Sequence, residues 1–249
     1  MLEELNLPYD LDERARPVSR HVTRFHKSGK VPVLLEYDHV QSEASHVDWE
    51  AFEPSFALYE SVAINNYLAD TYGTHLNPPL IPPPTLSRER ATYDQIVSCI
   101  LSELDAQGLW VYRKVTPPLC QFFDGPIPKA ATLSRKQFDR INRDIFQQFL
   151  GDKGPFLLGE YFSAADILYV HCLDWAKSMQ WHKPDEDAGS HFWPEPLEFY
   201  RQNCQQRPAY QRAKVLRDAS TRRQAEFERK QQEKHSRKEK VSEDRRSKL

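Results

Sequence analysis

Two short segments carry groups that could bind a ligand. In the first, Val31 stands immediately before Pro32 in the run Gly29-Lys30-Val31-Pro32-Val33-Leu34. A strand residue there offers its backbone N–H and C=O to a molecule lying alongside as an added strand would. The X-Pro bond is also the kind at which a cis peptide costs little. In the second, Glu60 and Ser61 stand where a helix begins. The unpaired N–H groups of that first turn, with the Ser61 hydroxyl, make an anion site. Taken alone, Ser61 reads as an N-cap and Val31 as a strand residue. A third constellation, Ser163-x-x-Asp166, has the spacing of a capping box, with Asp in place of Glu and with Phe162 and Ile167 at the staple positions. His171 and Asp174 follow on the same helix and read as core polar groups satisfied by hydrogen bonds. Cys99, Cys120, Cys172 and Cys204 are scattered without C-x-x-C or paired histidine spacing, which argues against a zinc site or a disulfide scaffold and favours a reducing compartment.

The elements that must position these residues follow from periodicity. Val31 to Leu35 is a short apolar run bounded by Ser28-Gly29-Lys30 and Glu36, and Ala57 to Tyr59 is a second candidate strand. From Ser61, apolar residues at Ile64, Leu68 and Tyr72 keep i, i+4 spacing, and Gly73 closes the helix. The run Asn77-Pro78-Pro79-Leu80-Ile81-Pro82-Pro83-Pro84 reads as a stiff connector, because prolines remove backbone donors. Beyond it the pattern is helical: Tyr93, Ile96, Val97, Ile100, Leu101 and Leu104 form one stripe, and Phe138, Ile141, Ile145 and Phe149 another. The helix from Ile167 to Trp175 is apolar on nearly every face and reads as the enclosed centre of a helical unit.

With 39% apolar and 12% aromatic residues in 249, the chain can fill real cores. A net charge of −2 gives no global reason to expect nucleic acid or a membrane as partner. No window reaches the roughly 18 apolar residues of a membrane span, and Met1-Leu2-Glu3-Glu4 is acidic where a signal peptide would be basic, so a cytoplasmic location is expected. Residues 218–249 carry eleven Lys/Arg against seven Asp/Glu, a net of +4 that leaves −6 on the rest. This charged tail reads as helical or disordered and too polar to build a core. Its Arg245-Arg246-Ser247-Lys248 would serve nuclear import or RNA binding only as a minor alternative to a solvated tail.

Five segments in order resemble the cytosolic glutathione S-transferase family, particularly its bacterial type. Leu2-Glu3-Glu4-Leu5-Asn6-Leu7-Pro8-Tyr9 resembles the end of the family's first helix and the start of its second strand. Gly29 to Leu34 resembles the segment whose proline is cis. Leu58-Tyr59-Glu60-Ser61-x-Ala63-Ile64 matches the L-x-E-S-x-A-I signature. Leu158-Gly159-Glu160-x-Phe162-Ser163-x-Ala165-Asp166-Ile167 matches the capping segment, and Arg207 to Ala213 resembles the closing helix. The resemblance implies an α+β architecture, with a thioredoxin-like glutathione-binding domain over residues 1–76, a Pro-rich linker over 77–84, an all-α domain over 85–217 and the tail. It implies glutathione as co-substrate without a metal, a small electrophile as second substrate, and a homodimer. Val31 and Pro32 would face the cysteinyl part of glutathione, Glu60 and Ser61 the γ-glutamyl carboxylate, and Lys30 the glycyl carboxylate. Ser163 and Asp166 carry over as the structural cap. Asp94 or Asp105 would approach the partner's site, and Leu109, Trp110 and Tyr112 would line the second substrate's site or the core.

The sequence departs from the family at its start. The family activates the glutathione thiol with a Tyr, Ser or Cys after the first strand, whereas the matching residues here begin at the end of helix one. No residue is therefore assigned as catalytic, and the thioredoxin-like domain is expected to lack its first strand. The polar stretch Tyr37 to Phe56 is also longer than the tight hairpin usual there. Two readings follow: a transferase whose catalytic group comes from upstream sequence, or a non-catalytic binding or scaffold protein.

Overall fold

The computed structural model describes residues 1–11, 20–38, 52–122, 124–184, 189, 191–223, 225, 226 and 229. The chain divides into two compact units, one of Met1–Leu7 with Glu60–Arg207, the other of Pro8–Tyr59 with Pro208–Leu249.

The second unit holds helix α1 (Arg20–Phe25) and strands β1 (Val33–Glu36) and β2 (Phe56–Tyr59). The strands pair antiparallel with Val33 opposite Tyr59 and Glu36 opposite Phe56. Ser55 extends the pairing, its N–H and hydroxyl both donating to the Glu36 carbonyl at 2.8 and 3.1 Å. The strand that the resemblance implies from Leu7-Pro8-Tyr9 does not form over the described residues 7–11. Pro8 lacks a donor, and among the described residues the sheet has only the two strands, so that segment has no ladder to join. Most of the stretch from Tyr37 to Phe56 lies outside the described residues, as does the tail beyond residue 229. Residues 208–223 are helical and largely exposed. There Arg222 Nε donates to the Asp218 carbonyl, four residues back, at 3.2 Å.

The first unit carries the core. Helix α2 (Ser61–Tyr72) ends at Gly73 as its sequence predicts, and buries Ile64, Leu68 and Ala69 while Tyr72 stays exposed. A continuous helical rod follows as α3 (Ser87–Cys99), a π-helical stretch (Ile100–Trp110) and α4 (Val111–Val115). It packs on α5 (Pro128–Phe149), where a Cβ at Gly108 would stand 3.2 Å from that of Phe138, so the small residue permits the close approach. Tyr93, Ile96, Ile100 and Leu104 from the rod and Phe138 and Ile145 from α5 are at most 1% exposed, as their stripes predict. Helices α6 (Ala164–Ser178) and α7 (Glu195–Gln205) complete the unit.

The Pro-rich run is packed rather than a free spacer. Leu80 and Ile81 are buried, and the Leu80 carbonyl accepts the Ala164 N–H at 2.8 Å at the head of α6. The segment Met1–Leu7 is the end of a helical turn, as the sequence suggests: Asn6 takes a φ of 49°, and the Leu7 and Asn6 N–H groups reach back to Leu2 and Glu3. That is the Schellman pattern of a helix terminus. Arg207 fastens this turn, donating through Nε and Nη2 to both carboxylate oxygens of Glu4 at 2.9 and 2.7 Å and stacking 3.8 Å over the Phe162 ring.

Helices α6 and α7 are tied by a charge network that periodicity could not foretell. Arg201, 7% exposed, donates to Asp174 at 2.7 Å and to both oxygens of Glu198, which also accepts from Lys177, Gln202 and Trp193. Asp174 is thus a satisfied structural acid, as expected; His171 is exposed instead of enclosed, because it faces out from α6 beside Trp175. Burial pushes the Glu198 carboxyl up, but the donors from Arg201, Lys177, Gln202 and Trp193 outweigh it and hold the group well below the usual range. A carboxyl depressed in the folded state stabilises the fold above its unfolded pKa, ~4.3, and loses that contribution as pH falls below it. The gap in Tm between the wild type and Glu198→Gln should therefore be wide at neutral pH and shrink in acid. A gap that stays constant would mean that Glu198 is not held ionised by this network.

Candidate functional site

The segment expected to offer a sheet edge lies in the second unit. His26, 8% exposed, ends α1 in a turn: its carbonyl accepts the Gly29 N–H at 2.8 Å, its Nδ1 accepts the Ser28 N–H at 3.2 Å, and its ring lies 4.3 Å from that of Tyr59. Gly29 takes a φ of 63°, a left-handed conformation that glycine adopts at no steric cost. The chain then runs through Lys30, Val31 and Pro32, all exposed, into β1. The Val31-Pro32 peptide is cis, as expected. His26 was not singled out from the sequence; the Ser28-Gly29 turn was the signal that something fixes this corner.

The expected anion site opens the first unit. Tyr59, the register partner of Val33, ends β2 and α2 begins at Ser61, so Glu60 alone joins the two. Glu60, not Ser61, is the N-cap residue, and Ser61 is the first helical position. Both are exposed. The Glu60 backbone takes φ 71° and ψ 115°, sparsely populated for a residue with a side chain and costing about 1–3 kcal/mol. The first intrahelical bond runs from the Ile64 N–H to the Glu60 carbonyl at 2.9 Å. The N–H groups of Ser61, Val62 and Ala63 precede it and point along the helix axis toward whatever lies before the N-terminus. No side chain caps them. This turn can hold a carboxylate.

The structural cap forms as the sequence predicts. Asp166, fully buried, accepts the Ser163 N–H and hydroxyl at 2.8 Å each, and also the Leu157 N–H at 2.9 Å and the Tyr200 hydroxyl at 2.8 Å. Burial pushes its carboxyl above the ordinary range, while the four donors pull it back down. The last two partners, from a loop and from α7, were not visible in the motif.

Of the residues considered for a second substrate, Leu109 is fully buried and Tyr112 packs edge-on against Trp181 at 4.9 Å, so both serve the core. Trp110 alone is exposed. Asp94 accepts from Arg90 at 3.4 Å, and burial pushes the Asp105 carboxyl up. Among the described residues no group of three or more His, Cys, Asp or Glu could hold a metal ion. No described helix is long and apolar enough to cross a membrane.

No family model and no curated protein matches the chain. Solved structures do. The glutathione transferase URE2P6 from Phanerochaete chrysosporium, in complex with oxidized glutathione, aligns over 88% of this chain and 89% of its own at 18% identity and a TM-score of 0.65. A glutathione transferase family member from Pseudomonas fluorescens Pf-5 with two glutathione bound aligns over 85% and 83% at 17% identity and a TM-score of 0.63. A glutathione S-transferase from Rhodospirillum rubrum F11 aligns over 84% and 81% at 19% identity and a TM-score of 0.59. The chain has the fold of the glutathione transferases, a thioredoxin-like unit followed by helices.

Proposed function

We propose that the protein binds glutathione, using the backbone of Val31 for the cysteinyl part and the first turn of α2, with the Ser61 hydroxyl, for the γ-glutamyl carboxylate. The observation that carries this reading is the uncapped N-terminus at Ser61, which follows the strained Glu60 in a chain folded like transferases solved with glutathione bound. Anionic carboxylates are favoured at such a terminus by the aligned N–H groups and by the helix dipole. Pro32 fixes the backbone that follows Val31, Glu60 sets the approach to the helix, and Lys30 adds positive charge for the glycyl end. The finer reading is a cytoplasmic, dimeric transferase that joins glutathione to a small electrophile. The alternative, a non-catalytic binding or scaffold protein, is favoured by the exposed helix 208–223, whose sequence carries Arg212, Lys214, Arg217, Arg222 and Arg223 with Asp218 as its acid. Steady-state conjugation of an aryl halide separates the two: turnover supports the transferase, and binding without turnover supports the alternative.

Calorimetric titration tests the site itself. Ser61→Ala should weaken glutathione binding by on the order of 1–2 kcal/mol, roughly tenfold in Kd, the worth of one hydrogen bond to a charged group. An affinity unchanged by the substitution would remove Ser61 from the site.

A further inference from the structure

His26 is the buried member of an exposed stretch. It is 8% exposed, while Lys27, Ser28, Lys30, Val31 and Pro32 all face solvent. Two N–H groups of the following turn close on it: Gly29 donates to its carbonyl at 2.8 Å and Ser28 to its Nδ1 at 3.2 Å. Its ring lies 4.3 Å from that of Tyr59, tilted by 52°. Tyr59 is in turn the register partner of Val33, two residues beyond Val31. The contacts form a closed circuit, running from His26 through the turn, Val31 and β1 to β2, and back through Tyr59 to His26. Val31, 56% exposed, is held from both ends by that circuit.

An imidazole nitrogen accepts a hydrogen bond only while it carries no proton. The Ser28 bond therefore requires the neutral ring with its proton on Nε2. Protonation would make Nδ1 a donor aimed at a second donor, in a corner where the ring is nearly enclosed and an unmet N–H is costly. Among the described residues, the titratable group facing the ring is Tyr59 on β2. The nearest charges along the chain are Arg24, which pairs with Glu53, and Lys27, which is exposed.

We propose that His26 is a positioning residue for glutathione: while neutral, its Nδ1 fixes the turn that presents the Val31 backbone, and protonation of the ring releases that turn. The role rests on the reading of Val31 as the contact for the cysteinyl part, and adds to it a dependence on pH. The helix terminus at Ser61 brings no such dependence, because the carboxylates of glutathione stay ionised down to about pH 4. Binding should therefore weaken in mild acid although the ligand keeps its charges.

The test measures the Kd of reduced glutathione for the full chain by calorimetry at about pH 7.5 and about pH 5.5, which spans most of the range over which histidine changes charge. The wild type should lose affinity about fivefold or more across that range, as the competent neutral fraction shrinks. His26→Asn keeps an acceptor, Oδ1, that does not titrate there, so it should bind within about twofold of the wild type at neutral pH and lose little in acid. His26→Leu removes the acceptor and should bind weakly at both pH values. In the ligand-free wild type at neutral pH, the imidazole 15N spectrum should show Nδ1 bare and Nε2 protonated, and the Ser28 amide should shift as the ring titrates. That spectrum and the Asn variant decide the matter if His26→Leu does not fold by circular dichroism. A wild-type affinity equal at the two pH values, an Asn variant that weakens in acid as steeply as the wild type, a folded Leu variant that binds as the wild type does, or a proton on Nδ1 at neutral pH would overturn the role of His26 alone. No glutathione binding by the wild type at neutral pH would overturn the reading of Val31, and the role of His26 with it.

Discussion

Asp166→Ala should destabilise the helical unit by on the order of 4 kcal/mol, because it strands the Leu157 N–H, the Ser163 N–H and the Tyr200 hydroxyl in a dry interior at about 1–3 kcal/mol each. Asp166 is 0% exposed, so water cannot replace the carboxylate without opening the core. One side chain here joins three pieces of chain: the loop at Leu157, the head of α6 at Ser163 and the body of α7 at Tyr200. A loss of that size is a large share of the roughly 5–15 kcal/mol that holds a domain together. Denaturant unfolding followed by tryptophan fluorescence would measure it. Asp166→Asn should recover only part, since its amide nitrogen places a donor where donors already converge. If the alanine variant loses less than about 1 kcal/mol, the buried group is not the junction its hydrogen bonds indicate.

The second large effect is expected at Gly154, which lies in the loop that delivers the Leu157 N–H to Asp166. A Cβ there would stand 2.7 Å from the Gly159 carbonyl carbon and oxygen, and the φ of 148° is one that side chains rarely adopt. Phe156 and Gly159 exchange N–H···O bonds at 3.0 Å each, so the obstructing backbone is itself pinned. Gly154→Ala should cost on the order of 3 kcal/mol, combining backbone strain with displacement of the bridge. Gly151→Ala supplies the comparison. Its φ of 59° is also positive, but the added Cβ would be 3.7 Å from its nearest neighbour, so only the left-handed penalty of about 1 kcal/mol applies. Equal losses in the two variants would show that the loop yields freely around Gly154.

How far these features could be read from the sequence depended on whether their cause was local. Helix α2 and the cap of α6 were legible because Gly73, Ser163 and Asp166 act within one turn of themselves, and the rod and α5 because one face of each repeats at helical spacing. The candidate ligand residues Lys30, Val31, Pro32, Glu60 and Ser61 came from the motifs that resemble the transferases; periodicity alone left Ser61 as a cap and Val31 as a strand residue. What escaped was set by packing between distant segments. The burial of Leu80 and Ile81 depends on the head of α6, about eighty residues away, and overrides the reading of a proline-rich run as a spacer. The Arg207–Glu4 pair spans 203 residues, and the contact between Arg113 and Trp175 exists only because two helices lie side by side. The strand expected to start at Leu7-Pro8-Tyr9 came from the resemblance, and a family motif says nothing of whether this chain has a ladder for it to join.

The central claim, that glutathione is held through Val31 and the first turn of α2, is tested most directly by following backbone amides in 15N-labelled protein as reduced glutathione is added. The account predicts saturable shifts that are largest at Val31, Ser61, Val62 and Ala63, with small changes along α5. Saturable shifts centred elsewhere, or no saturable shift at millimolar glutathione, would contradict it.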